Sequence, residues 1–109
     1  MGKEINYYLD NWGENMNIEK NSSYYFKNHL AWQIEPVTET VYVFDNKNGA
    51  SYLFKDIGMN IWKMIYRKIS VKDMIDLLAS RYEVSKVQLE EDVISFIAEI
   101  IEEDLIYEL

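Results

Sequence analysis

Ser85-Lys86-Val87-Gln88-Leu89-Glu90-Glu91-Asp92-Val93-Ile94-Ser95-Phe96-Ile97-Ala98-Glu99-Ile100-Ile101-Glu102-Glu103-Asp104-Leu105 reads as a helix with more apolar surface than one packed face requires. Ser85 and Gln88 stand in the S-x-x-Q spacing that opens a helix. At about 100° per residue, Leu89, Val93, Phe96 and Ile100 form one stripe. Val87, Ile94, Ala98, Ile101 and Leu105 form a second, with Ile97 between them. Together they span roughly 200°, against the ~100° an ordinary surface helix buries. One stripe packs on the chain's own core. The other needs cover, either from more of the same chain or from a partner.

Working outward, residues 56–81 carry two more helices. Asp56 to Tyr66 places Ile57, Ile61, Met64 and Ile65 inward. Ser70, with Asp73 three residues on, opens a second helix ending near Arg81, with Met74, Leu77 and Leu78 inward. Before these lie three strands. Ala31-Trp32-Gln33-Ile34-Glu35 alternates and stops at Pro36. Thr40-Val41-Tyr42-Val43-Phe44-Asp45 is β-branched and aromatic. Asn46-Lys47-Asn48-Gly49 is a turn suited to positive φ at Gly49. Ala50-Ser51-Tyr52-Leu53-Phe54 returns as the third strand. A three-stranded antiparallel meander followed by three helices predicts an α+β winged helix-turn-helix over residues 31–109. Residues 1–30, rich in Asn and aromatics, read as an N-terminal extension with no clean period.

Composition narrows the function. A chain of 109 residues with 49% apolar content, nine Tyr, three Trp and four Phe can build one core. With no cysteine there is no disulfide or thiolate metal site. No apolar run reaches ~18 residues and the N-terminus lacks a signal-type segment, so a cytoplasmic location without membrane contact is expected. The net charge of −8 is uneven. Residues 1–82 balance, whereas residues 83–109 set nine acids against Lys86 alone. Such a helix repels phosphate backbones and attracts basic groups, which weighs against nucleic acid. Glu90 falls inside the apolar arc, where a carboxylate needs either a basic partner or the helix N-terminus. The only histidine, His29, has no catalytic company, and HExxH, GxSxG and P-loop patterns are absent. Glu90-Glu91-Asp92 point in different directions on a helix and do not converge on one cation. No catalytic residue, metal site or cofactor is expected.

The segment Gly49-Ala50-Ser51-Tyr52-Leu53-Phe54-Lys55-Asp56-Ile57-Gly58-Met59-Asn60-Ile61-Trp62 resembles the G-x-x-y-x-L-N-x-x-G/A-x-x-I-W stretch of PqqD-like proteins. The likeness continues through Val71-Lys72-Asp73-Met74-Ile75, Leu78, Tyr82-Glu83-Val84, Asp92-Val93-Ile94-Ser95-Phe96-Ile97 and Leu105-Ile106, with Phe54, Lys55 and Ile57 departing from the usual residues. This resemblance implies a recognition element for ribosomally made, post-translationally modified peptides. Such a module binds the leader of a precursor peptide by strand addition and presents it to a modifying enzyme, a radical SAM enzyme, cyclase or peptidase. Carried onto this chain, the edge is Ser51, Tyr52, Leu53 and Phe54. The helix wall is Val87, Glu90, Ile94, Ile97, Ala98 and Ile101, with Ile94 and Leu53 both facing the groove. The alternatives are a winged-helix DNA-binding regulator, disfavoured by the acidic helix, and an assembly subunit that dimerises through the same stripe.

Overall fold

A computed structural model describes residues 2–3 and 18–109. The part of the extension between residues 4 and 17, with Tyr7, Tyr8 and Trp12, lies outside the described residues. The described elements run β1 (Gly2–Lys3), β2 (Tyr24–Phe26), β3 (Leu30–Glu35), β4 (Thr40–Asp45), β5 (Ser51–Lys55), α1 (Ile57–Tyr66), α2 (Val71–Ala79), α3 (Lys86–Glu102) and β6 (Ile106–Glu108). The antiparallel meander β3-β4-β5 and the three helices after it are the α+β arrangement expected from the sequence. β1 and a separate β2–β6 pair are additions.

Local chemistry sets the helix boundaries. Ser70 Oγ accepts from the Asp73 N–H and Ser85 Oγ from the Gln88 N–H, so both expected N-caps form. The Gln88 side chain does not reach back to Ser85. It donates to Asp92 Oδ1 at 3.0 Å, one turn on. α3 stops at Glu102, not at Leu105, because Asp104 takes φ 65. The Leu105 N–H then returns to Ile100 C=O and the Asp104 N–H to Ile101 C=O, each at 2.9 Å. That pair of bonds is a Schellman closure, and Leu105 folds back as buried cover. α1 ends the same way at Lys68, φ 59, with Ile69 N–H bonded to Met64 C=O. Lys68 Nζ sits 5.0 Å from the centre of the Tyr25 ring.

One core joins all the layers. Trp62, fully buried, stacks on Phe26 at 4.5 Å, meets Phe54 at 5.2 Å and takes Trp32 edge-on at 6.1 Å. Phe54 in turn meets Phe96 of α3 at 5.1 Å, edge to face. β5 is thus held from below by α1 and α3 together.

Residues 18–30 are part of this body. Tyr24 and Phe26 are buried, and β2 pairs antiparallel with β6, Phe26 opposite Ile106. Further back, Ser22 C=O accepts from the Val71 N–H at 3.0 Å and Lys20 C=O from the Lys72 N–H at 2.8 Å. These bonds satisfy donors at the start of α2 that have no partner inside the helix. Ser22 Oγ also donates to the Glu108 carboxylate.

Candidate functional site

The β4–β5 hairpin decides which way β5 offers its backbone. Gly49 N–H donates to Asp45 C=O and Asp45 N–H to Ala50 C=O, each at 2.8 Å, with Gly49 at φ 78. This is a bulged turn, and its Gly position is left-handed, which a side chain would strain. Asp45 Oδ1 accepts from the Lys47 N–H at 2.8 Å and braces the same turn. Hydrogen-bonded pairs alternate along an antiparallel ladder. Counting from Asp45 and Ala50 along the register, Val43–Tyr52 and Val41–Phe54 exchange bonds. Ser51, Leu53 and Lys55 therefore turn their N–H and C=O groups away from β4, toward the far edge.

That edge takes a strand. β1 lies parallel against β5, with Gly2 opposite Ser51 and Lys3 opposite Tyr52. The sheet order is β1-β5-β4-β3, and β3 forms the other edge.

Side chains alternate across β5. Tyr52 and Phe54 point inward and are buried, whereas Ser51 and Leu53 are half-buried on the outer face. Outside, Leu53 joins the exposed rings of Tyr42 and Phe44 around a depression of about 380 Å³ that also touches Ala31, Gln33 and Ser51. Inside, the Tyr52 hydroxyl donates to Glu103 Oε1 at 3.0 Å and ties β5 to the end of α3. Burial, that hydrogen bond, and the negative charges of Glu103 and Asp45 push the Tyr52 hydroxyl from 10.0 up to about 12. A hydroxyl whose folded value is raised contributes its stabilisation in full below pH 10 and loses it as pH climbs toward 12. Tyr24 is raised in the same direction, by burial first and then by Glu108 and Glu19. Tyr52→Phe is therefore expected to cost about 1 kcal/mol at pH 7. It should also flatten, without abolishing, the fall in stability between pH 10 and 12, with Tyr24 carrying the remainder. Urea unfolding of both proteins at pH 7 and 11 measures this.

The α3 residues named from the sequence do not form one open wall. Ile94, Ile97 and Ala98 are 7%, 0% and 3% exposed. They are enclosed within this chain because the surplus apolar arc is covered in place. Ile94 is thus a core position, where an acid would damage the fold instead of reporting on a groove. Val87, at 70%, is the exposed apolar residue of the stripe, and Ile101 is half-buried. The Glu90 carboxylate has a partner in the chain itself: Lys20 Nζ sits 2.8 Å from Oε2. Neither partner is deeply buried, so the pair contributes little stability and is exchangeable.

Elsewhere the described residues hold little that resembles a reaction centre. His29 Nε2 lies 3.5 Å from Asp45 Oδ2, part of a cluster with Lys27, Lys47 and Asp104 that ties the hairpin to the end of α3. No group of three or more potential metal ligands gathers among the described residues. No described helix is long and apolar enough to cross a membrane.

Residues 40–106 match the family model of coenzyme PQQ synthesis protein D (PqqD). Three solved structures are similar in fold. One is TbiB1 in complex with the TbiA(beta) leader peptide, 15% identical, TM-score 0.70, covering 75% of this chain and 93% of that one. Another is lasso peptide synthetase B1 complexed with the leader peptide, 16% identical, TM-score 0.71, covering 78% and 98%. The third is the solution structure of the PqqD truncation of Methylobacterium extorquens PqqCD, described as a functional, stand-alone RiPP recognition element. It is 10% identical, with TM-score 0.66, covering 84% and 95%. No curated protein matches the chain.

Proposed function

The chain belongs to the PqqD family, and from that premise we propose that it is a non-enzymatic recognition module. It binds the leader segment of a ribosomally made precursor peptide as a strand on β5 and presents it to a separate modifying enzyme. The observation that carries this reading is the addition of β1 to the outer edge of β5. An edge with Ser51, Leu53 and Lys55 amides turned outward is a template for an extended peptide, and here it already holds one. The leader complexes of TbiB1 and the lasso synthetase B1 support the reading, since both share this fold.

An added strand would send alternate side chains to opposite faces. One set would fall beside α3, near Val87, Ile101 and Glu90, where a peptide Lys or Arg exchanges with Lys20 at the carboxylate. The other set would lie beside Leu53 and the Tyr42–Phe44 depression. The favoured ligand is thus a peptide with apolar residues on both faces and a basic residue on one. Residues Tyr52, Phe54, Ile94, Ile97 and Ala98 would support the edge from beneath. The acidic flank of α3 opposes DNA phosphates, and the enzyme partner is of the radical SAM, cyclase or peptidase kind, in the cytoplasm.

Calorimetric titration of the full chain with synthetic leaders of the short peptides encoded beside its gene tests the proposal. A one-to-one complex with the intact leader and none with its scrambled sequence is expected. Equal heats from both would refute it.

A further inference from the structure

β1 sits on the same edge that the proposed function gives to the leader. We infer that β1 is an intramolecular competitor: Gly2–Lys3 and the incoming peptide are mutually exclusive occupants of β5, so recognition is gated by release of the chain's own N-terminal strand. This rests on the leader-binding reading above.

The geometry makes β1 an occupant that can be displaced. Its described residues pair with Ser51 and Tyr52, at one end of β5. Its pairing is parallel, which is slightly weaker per residue than antiparallel. A peptide that pairs antiparallel along the full length of β5 forms the stronger ladder per residue. The rest of the site needs no rearrangement, because Tyr52 is fixed to Glu103 and Phe54 to Phe96 and Trp62 whichever strand lies alongside. In the unliganded chain β1 also blunts an edge that would otherwise template pairing with other chains. The apparent affinity for a leader is then lowered by the fraction of molecules whose edge is free.

The test uses the full chain and its Gly2→Pro/Lys3→Pro variant, since proline removes the N–H groups a paired strand needs. Amide hydrogen exchange of Ser51 and Leu53, followed without ligand, reads β1 occupancy alone. Titration with the synthetic leader reads competition. In the variant, faster exchange at Ser51 and Leu53 and roughly three- to tenfold tighter leader binding are expected. Unchanged exchange would overturn the inference, because β1 would not hold the edge in solution. Faster exchange with equal or weaker leader binding would overturn competition and make β1 neutral or helpful to the complex. If exchange responds but neither protein binds the leader, the recognition reading itself falls and competition falls with it. The ligand-free exchange result keeps that failure distinct from the others.

Discussion

Leu53→Pro is expected to weaken leader binding at least about tenfold, because it removes an outward-facing amide in the middle of β5 and leaves a partner carbonyl unpaired. The Leu53 N–H turns away from β4 by the alternation set at Asp45 and Ala50, so the ladder to β4 loses no bond. Proline is tolerated on an edge strand for that reason. The inward anchors Tyr52 and Phe54 remain, and the fold should lose no more than about 2 kcal/mol. Leu53→Ala is the necessary comparison. It keeps the amide and deletes only the outer-face contact beside Tyr42 and Phe44. If strand addition supplies the affinity, the alanine variant binds much more tightly than the proline variant. Titration of both with the same leader, alongside far-UV circular dichroism, separates backbone recognition from side-chain recognition and both from unfolding.

Trp62→Ala should produce the largest loss of stability, about 3–5 kcal/mol. The indole is 0% exposed and touches Phe26 of β2, Trp32 of β3 and Phe54 of β5 at once. Its removal takes the common support from under β5 and from the β2–β6 pair. Since native domains keep only ~5–15 kcal/mol of net stability, this variant approaches the unfolding threshold. Trp62→Phe should cost far less. It keeps a ring at the same centre and removes an indole N–H that has no hydrogen-bond partner among the described residues. Equilibrium urea unfolding of the three proteins gives the comparison. Equal losses for alanine and phenylalanine would show that the indole shape, and not filled volume, holds the hub.

The parts of this fold legible in the sequence are those whose signals are local. Ser70 and Ser85 announced helix starts because a hydroxyl three residues before a free N–H is a cap wherever the rest of the chain lies. Asn46–Gly49 announced the hairpin because one left-handed residue there suffices. The end of α3 was less clear, since an Asp at the left-handed position carries no signal as strong as Gly. The β2–β6 pair was hidden: three residues near the start bond to three at the end, and neither run is long enough to show a period. β1, with two residues, is below any sequence signal.

The site divides in the same way. The surplus apolar arc of α3 was visible, but not that Ile94, Ile97 and Ala98 are enclosed within the chain while Val87 stays open. The need of Glu90 for a cation was visible, but its answer, Lys20, lies 70 residues away and depends on how residues 18–23 cross α2. In β5 the run Tyr52-Leu53-Phe54 is apolar throughout, so alternation could not say that Leu53 faces outward. The turn geometry supplied that.

The account stands most directly on where a bound leader protects the backbone. Residue-resolved amide exchange of the full chain with and without saturating leader measures it. Strand addition on β5 predicts greater protection at the outward amides Leu53 and Lys55 than in the free chain, with no change along β3. Protection that arises along Leu30–Glu35, or along α3 without any at Leu53 and Lys55, would contradict it.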